Sequence, residues 1–252
     1  MQYLGIIPAR FQSTRFPGKP LCEIGGKPMI QRVYEQAVQV KAFDEVLVAT
    51  DDSRIFQTVI DFGGKAVMTA STHRSGTERC AEVYASLKTI YPDVDTVVVN
   101  IQGDEPFIQV KQIEELLACF SDNTIQIATL IKKINNPNLL NNPDVVKAII
   151  SNDKRVLYFS RNSIPYLQNK TFEQHTFYRH IGLYAYKAAT LLSLVQLPPS
   201  SLEEAENLEQ LRWIENGFPV TARITNYESS IAIDRPEDIK LANDFYNKNN
   251  NI

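Results

Sequence analysis

Short apolar runs alternate with amphipathic segments over the first half of the chain. Runs such as residues 3–7 and Val97-Val98-Val99 have the length and continuity of strands that are buried on both faces. Between such runs, apolar residues recur at helical spacing, as they do over residues 28–40. Strand and helix alternate four times in this way, which indicates a mostly parallel sheet with helices on both faces.

The predicted elements of this half end at turn or capping residues. Ser53 is a candidate cap for the second helix and Ser75 or Thr77 for the third, because a hydroxyl can accept a hydrogen bond from a free N–H at a helix start. We predict strands at 3–7, 45–50, 66–69 and 95–101, and helices at 28–40, 53–62, 77–90 and 110–120.

The second half has a different pattern, with strand-like runs separated by Asn/Pro or Asn/Asp turns. Such spacing predicts a smaller, mixed sheet with antiparallel strands added at an edge. An acidic helix and a last helix complete the prediction, and the Asn-rich end is expected to fray. The strands are predicted at 126–134, 145–150, 156–160, 178–186, 220–224 and 230–233, and the helices at 202–216 and 236–246.

Composition narrows the class of protein. A chain of 252 residues with 44% hydrophobic and 22% charged residues suits one α/β domain with a full core. The net charge of −3 argues against a general nucleic-acid binder. Cys22, Cys80 and Cys119 are far apart and predict reduced thiols. No apolar run approaches the roughly 20 residues that span a bilayer, and no signal peptide is evident. We therefore expect a soluble, cytoplasmic protein without a membrane or nucleic-acid partner.

The loop after the first strand carries the clearest chemistry. Arg10, Arg15 and Lys19 fall within ten residues, and prolines and a glycine limit the freedom of the segment. Ligands of parallel α/β sheets bind outside the carboxyl ends of the strands, where this loop begins. Three cations at that position predict a polyphosphate site. Asp51-Asp52 and Asp104 also follow predicted strands and are expected at the same edge.

Five segments carry a resemblance to the nucleotidyltransferases that make CMP-activated acid sugars. The loop has the form Pro-Ala-Arg-x-x-Ser-Thr-Arg-x-Pro-Gly-Lys-Pro-Leu at residues 8–21, which is similar to that of the 3-deoxy-manno-octulosonate (Kdo) cytidylyltransferases. The other four are Ser-Gly-Thr-Glu-Arg at 75–79, Ser-Arg-x-x-Ile-Pro at 160–165, Arg-His-x-Gly-x-Tyr at 179–184 and Leu-Glu-Gln-Leu-Arg at 208–212. The resemblance extends over residues 6–240 and departs from the family at Phe11, Phe16 and Ala185. Phe11 stands where the family often has tyrosine, which makes a polar role there doubtful.

The resemblance implies a Rossmann-like nucleotidyltransferase fold in a single domain. It places nucleotide binding in about residues 1–125, and sugar binding and dimerisation in about residues 126–230. The implied reaction transfers CMP from CTP to Kdo for lipopolysaccharide synthesis, in a homodimeric enzyme that needs Mg²⁺. The implied nucleotide site contains Arg10, Ser13, Arg15, Lys19, Ser75, Thr77 and Arg79, and the implied sugar site contains Gln102, Arg161, His180, Tyr184, Glu209 and Gln210.

The metal prediction rests on two acids. Asp104 lies in Gln-Gly-Asp-Glu-Pro after the central strand, and Asp234 precedes Arg-Pro-Glu-Asp. Carboxylates, phosphate oxygens and water are the ligands that Mg²⁺ prefers, and the ion would neutralise a triphosphate. With Arg10, Arg15 and Lys19, Asp104 is thus a candidate catalytic residue. Asp234 has a competing interpretation as a helix cap, and Ser75 and Thr77 could cap a helix as well as bind a nucleotide.

Other interpretations stay open at this point. His180 could be a core histidine, and the acids of 202–216 could form a solvated helix face. A cytidylyltransferase for another acid sugar, such as a sialic acid, shares the motifs. A nucleotide-sugar glycosyltransferase should carry Asp-x-Asp after a strand, and none of the predicted strands is followed by one. A non-catalytic nucleotide-binding regulator would suit a chain that had lost its acids, and Asp104 and Asp234 are both present. A dehydrogenase would need a Gly-x-Gly-x-x-Gly after the first strand, and none follows it here.

Overall fold

The structure is a computed structural model that describes residues 1–12, 16–228 and 231–250. It divides into two compact units. The first comprises Met1–Glu114 and Tyr227–Ile252, and the second comprises Glu115–Asn226. The sequence-based division lay at about residues 125 and 230. The last segment of the chain therefore belongs to the first unit, and it brings Asp234 with it.

The first unit is built on a parallel sheet. In this sheet β1 pairs with β4 on one side and with β6 on the other, and β5 pairs with β4. Gly5 lies opposite both Val46 and Val99 in the centre of the sheet. The strands are β1 (Gln2–Ala9), β2 (Glu23–Ile24), β3 (Lys27–Pro28), β4 (Glu45–Thr50), β5 (Ala66–Met68) and β6 (Thr96–Asn100), and the helices are α1 (Met29–Ala37), α2 (Ser53–Asp61), α3 (Gly76–Leu87) and α4 (Val110–Leu117), whose last residues lie in the second unit.

These elements confirm the predicted parallel α/β arrangement, because continuous apolar runs make fully buried strands. All five residues of β6 are buried, and so are the central residues of β1. One predicted cap is wrong. Ser53 is the first residue of α2, and the Asp52 carboxylate accepts the hydrogen bond from the Arg54 N–H at 2.9 Å. Asp52 has the extended backbone of a cap residue and Ser53 is already helical.

The second unit contains a mixed sheet, as predicted. In this unit β10 pairs antiparallel with β7 and β8, β8 pairs antiparallel with β9, and β11 runs parallel to β7. Its strands are β7 (Ile127–Lys133), β8 (Lys147–Ile150), β9 (Val156–Ser160), β10 (Tyr178–Lys187) and β11 (Val220–Ile224), and its helices are α5 (Ala188–Leu194), α6 (Ser201–Glu206) and α7 (Glu209–Glu215).

The predicted acidic helix at 202–216 is two helices, α6 and α7. Asn207 between them has left-handed backbone angles, φ 51° and ψ 51°, which asparagine tolerates better than most residues. Ser200 and Glu203 form a capping box at the start of α6. Helix α5 was not predicted, because the sequence at 188–194 follows directly from a strand without a turn signal.

The end of the chain also differs from the prediction. Residues 231–233 are not a strand, although the Ile233 N–H donates to the Asp104 carbonyl at 2.9 Å; position 230 lies outside the described residues. The last helix, α8 (Asp238–Asn250), includes residues 247–250 of the Asn-rich stretch that was expected to fray, and position 251 lies outside the described residues. Its Asn243 and Asn249 side chains each donate to a carbonyl one turn earlier, at 2.9 Å.

Helix α8 packs against the N-terminal part of the first unit through a small apolar cluster. Ile24, Met29, Ile233 and Ala242 are all fully buried there. The Gly25 N–H donates to Asn243 at 2.8 Å, and the Arg32 guanidinium lies 4.0 Å from the Tyr246 ring centre. These contacts fix the segment that carries Asp234. Over the described ranges, the structure contains no helix with both the length and the apolar character needed to cross a bilayer.

Candidate active site

A cavity of about 350 Å³ opens in the first unit at the carboxyl ends of β1 and β6. Parallel α/β sheets present their ligand sites at this edge. Four cations and two carboxylates contribute to the lining, which favours a charged, polar ligand. The lining residues are Pro8, Ala9, Arg10, Lys19, Pro20, His73, Arg74, Ser75, Gly76, Arg79, Gln102, Gly103, Asp104 and Asp234.

The N-terminal loop supplies two of these cations. It begins where β1 ends at Ala9 and is closed by a hydrogen bond from the Gly18 N–H to the Phe11 carbonyl at 2.8 Å. Gly18 has φ +74°, a conformation that favours glycine. Arg10 and Lys19 both reach the cavity. The other two predicted residues of this loop, Ser13 and Arg15, lie outside the described residues.

Lys19 is surrounded by oxygen atoms. Its ammonium donates to Asp104 Oδ2 and to the Ile233 carbonyl, each at 2.7 Å, and Asp234 Oδ1 lies 3.7 Å away. The two acids that the sequence suggested as a pair therefore share one cation. They come from positions far apart in the sequence and meet at one wall of the cavity.

The backbone around the two acids explains this convergence. A Cβ on Gly103 would lie 2.7 Å from the Pro8 carbonyl oxygen, so only glycine lets the turn after β6 approach the end of β1 this closely. The helix after Asp234 begins at Asp238, four residues later. The Asp238 carboxylate accepts the N–H groups of Asp234 and Arg235, at 2.9 and 2.8 Å, and so holds the turn that carries Asp234.

Helix α3 begins at the same cavity, and its cap is Ser75. The Ser75 hydroxyl accepts from the Glu78 N–H at 3.2 Å, which identifies the cap among the two candidates. Thr77 is buried and does not line the cavity. Ser75 thus lines the cavity and caps the helix at once.

Arg79 lines the cavity but is held by the protein. It is 3% exposed, and it pairs with Asp51 at 3.1 Å while also donating to Thr69. Asp51, which was expected at this edge of the sheet, therefore holds the Arg79 guanidinium in place. A buried arginine fixed in this way is a rigid part of the wall, with little freedom to follow a ligand.

Two lining residues, His73 and Arg74, were not predicted. His73 contacts the Glu82 carboxylate, and Arg74 pairs with Glu78 at 3.1 Å, so both are tied to α3. Their position directly before the Ser-Gly-Thr-Glu-Arg segment could have signalled a role. The four-residue spacing of Arg74 and Glu78 could also have signalled their pair, whereas His73 and Glu82 are nine residues apart.

In the second unit, the structure brings several predicted sugar-site residues together. The His180 and Tyr184 ring centres are 5.2 Å apart, and His180 Nε2 lies 3.0 Å from the Thr129 hydroxyl. Burial lowers the pKa of His180 to about 3, so the ring is neutral near pH 7. Burial, and secondarily the nearby Glu209 carboxylate, raises the pKa of Tyr184 well above its usual value. Tyr184 and Gln210 are buried, at 5% and 7% exposure, whereas the His180 residue as a whole is half-buried. These groups form a neutral polar and aromatic cluster beside one carboxylate.

The other two residues of the implied sugar site are Arg161 and Gln102. The Arg161 guanidinium donates to the carbonyl oxygens of Glu206, Pro143 and Asn207, at 2.7, 2.9 and 3.3 Å. The backbone N–H of Arg161 donates to the Glu206 carboxylate at 2.9 Å. Arg161 therefore closes the carboxyl end of α6. Gln102 belongs to the first unit, where it lines the cavity.

The residues present fit a magnesium ion as the sequence suggested. Among the described residues, no cluster of three or more His, Cys, Asp or Glu side chains is arranged for a metal. Mg²⁺ commonly takes one or two carboxylates and completes its shell with phosphate and water oxygens. Asp104 and Asp234 supply such a pair, and Lys19 shows that their oxygens already gather around a cation.

A parallel sheet with a cation-lined cavity at its carboxyl edge defines an α/β nucleotide-binding protein. A family model described as cytidylyltransferase matches residues 4–238, and the chain belongs to this family. The 3-deoxy-manno-octulosonate cytidylyltransferase of Parabacteroides distasonis is 51% identical over 96% of this chain and 97% of its own length. That of Phocaeicola vulgatus is 50% identical over 97% of each chain.

A solved structure agrees with these relatives. CMP:2-keto-3-deoxy-manno-octonic acid synthetase in complex with CTP superposes with a TM-score of 0.91 and 39% identity, over 99% of this chain and 100% of that one. The resemblance found in the motifs and the predicted fold class are both confirmed. The chain is an enzyme of the nucleotidyltransferase class.

Proposed function

We propose that this chain transfers CMP from CTP to Kdo and releases pyrophosphate. The observation that carries the proposal is the cavity of the first unit, in which Arg10 and Lys19 face the acids Asp104 and Asp234. The names of relatives at about half identity over nearly the whole chain support CTP and Kdo as the substrates.

The reaction is a substitution at phosphorus. The anomeric hydroxyl of Kdo forms a bond to the α-phosphorus, the bond from that phosphorus to the bridging oxygen of the β-phosphate breaks, and the hydroxyl proton is lost to water. Arg10, Arg15 and Lys19 bind the triphosphate and stabilise the charge that develops on pyrophosphate. Catalysis thus rests on positioning and electrostatics.

The acids and the end of helix α3 complete the nucleotide site. Asp104 and Asp234 would hold Mg²⁺, which would neutralise the triphosphate and polarise the α-phosphate. Ser13, Ser75 and Thr77 are proposed nucleotide contacts by resemblance. Of the two that the structure describes, Ser75 lines the cavity and Thr77 does not. Arg79 is proposed to contact the cytosine base, and Asp51 holds its guanidinium in place.

The sugar-binding residues proposed in the second unit are His180, Tyr184, Glu209 and Gln210, and Gln102 is the one proposed in the first unit. A neutral imidazole, a phenol and an amide suit the hydroxyls of a sugar, because each can form directional hydrogen bonds. Arg161 is the sixth residue that the resemblance implies, and its bonds to three carbonyls support an indirect part. It would act by fixing the segment before α7.

Three further properties are proposed from the family resemblance. The enzyme forms a homodimer, and it works in the cytoplasm in lipopolysaccharide assembly. The three cysteines are free thiols in the structure, which supports a reducing compartment.

The test measures pyrophosphate release from CTP and Mg²⁺, with Kdo, sialic acid or no sugar in parallel. We expect release with Kdo alone, and none when EDTA removes the metal. Release with sialic acid alone would move the proposal to another acid sugar. No release with either sugar, while CTP still binds, would favour a regulator.

A further inference from the structure

The contacts of Lys19 bear on whether its ammonium and the proposed Mg²⁺ would occupy the same position. The Lys19 side chain is 14% exposed, and its ammonium contacts Asp104 and the Ile233 carbonyl, while Asp234 lies at 3.7 Å. Two carboxylates and a carbonyl are also the kind of oxygen ligands that a hard divalent cation takes. The ammonium therefore stands where the proposed Mg²⁺ would bind.

An ammonium and a divalent ion cannot share this position. Their charges repel, and both need the same Asp104 oxygen atoms at about 2–3 Å. Lysine is a compact charge on a flexible four-carbon stem, so it can exchange one set of oxygen partners for another. A triphosphate in the cavity offers such oxygens close by, because Lys19 itself lines the cavity.

We propose that Lys19 acts as a placeholder cation between Asp104 and Asp234 until the nucleotide arrives. The chain alone then holds a divalent ion poorly, and the metal binds together with the triphosphate that draws Lys19 away. This inference rests on the metal site proposed above. It adds to the role of Lys19 in CTP binding a second role, that of coupling metal binding to nucleotide binding.

The experiment uses Mn²⁺ alone, with no nucleotide and no sugar, and measures free Mn²⁺ by electron paramagnetic resonance. Lys19→Met removes the charge and keeps the length of the side chain. Lys27→Met is the matched control, since Lys27 pairs with Glu35 at 2.8 Å and does not line the cavity. We expect Lys19→Met to bind one Mn²⁺ at least about tenfold more tightly than the wild type, because two carboxylates lose their counter-charge. Lys27→Met should match the wild type.

Equal Mn²⁺ affinity in the wild type and in Lys19→Met would overturn the inference, provided that both have the same melting temperature. A second variant separates this failure from a failure of the metal site. If Asp104→Asn abolishes Mn²⁺ binding that Lys19→Met leaves unchanged, the metal site stands and the placeholder role is wrong. If none of the proteins binds Mn²⁺ with or without CTP, beyond the Mn²⁺ that CTP holds in solution, both ideas fall together.

Discussion

The two units use family motifs for different purposes. In the first unit the motif residues Arg10 and Asp104 lie on loops, Lys19 begins a short 3-10 helix (Lys19–Leu21), and all three line a cavity. In the second unit Arg161 and His180 lie at the end of a strand or within one, and their polar atoms meet other protein groups. The difference teaches that matching a family motif does not by itself make a residue a ligand contact.

Burial explains the contrast in energetic terms. The Lys19–Asp104 pair is part-buried, with side-chain exposures of 14% and 32%, so water screens it more than a fully buried pair and it contributes less to stability. Lys147 of the second unit is fully buried and donates to the carbonyls of Asn142, Val145 and Arg161. Unpaired buried groups are costly, so such networks hold a fold together. The first unit should therefore lose activity on mutation, and the second should lose stability.

Asp104→Asn gives the largest expected effect. It keeps the shape of the side chain and removes the charge that would hold the metal, so we expect kcat to fall by about 10³-fold. The free energy of unfolding should change by less than about 1 kcal/mol, since the pair with Lys19 is partly exposed. Steady-state kinetics at saturating Mg²⁺ and a urea titration measure the two quantities.

Asp61→Asn is the control for that variant, because Asp61 lies on the exposed face of α2, where its carboxylate accepts a hydrogen bond from the Gln57 amide at 2.8 Å. It should match the wild type in both measurements. Near-native turnover in Asp104→Asn would remove this residue from the metal site and erase the contrast between the units.

The positions of the chemical groups in the first unit could be predicted because they follow from local pattern. An apolar run fixes a buried strand, parallel strands end at one edge, and whatever follows them lies at that edge. That reasoning places Lys19 and Asp104 without knowledge of any contact. It could not assign Asp51 to Arg79, since the two are 28 residues apart and meet only through the packing of α3.

Arg161→Met gives the next effect and tests the second unit. Three carbonyls lose a charged donor, so the free energy of unfolding should fall by about 2–3 kcal/mol. Urea denaturation measures this change, with Arg155→Met as the control, because Arg155 is exposed and lies 3.7 Å from Asp153. An unchanged unfolding free energy with a raised KM for Kdo would instead make Arg161 a sugar contact.

The sequence could not predict this role of Arg161 for a physical reason. Its partners at Glu206 and Asn207 lie 45 and 46 residues away, at a helix end created by the left-handed Asn207. The pattern at 202–216 gave no sign of that break, because apolar spacing continues through it. Long-range partners and single-residue backbone states are the information that periodicity leaves out.

The smallest effect concerns pH and His180. The pKa of His180 is lowered to about 3 in the folded protein, chiefly by burial, against about 6.5 in an unfolded chain. Between these values the unfolded state binds a proton that the folded state does not, so stability falls as the pH falls through this window. From pH 7 to pH 5 the loss from this one residue should be about 2 kcal/mol.

The comparison with His180→Gln isolates that contribution, because glutamine keeps a hydrogen-bonding group near Thr129 and does not titrate. Urea titrations at pH 7 and pH 5 should show a smaller loss of stability in the variant than in the wild type. This difference between the two proteins is expected for any pKa of His180 in the folded state below about 5. Parallel losses in both proteins would mean that the ring takes up its proton while folded, and His180 would then resemble the accessible groups of the first unit rather than the buried network of the second.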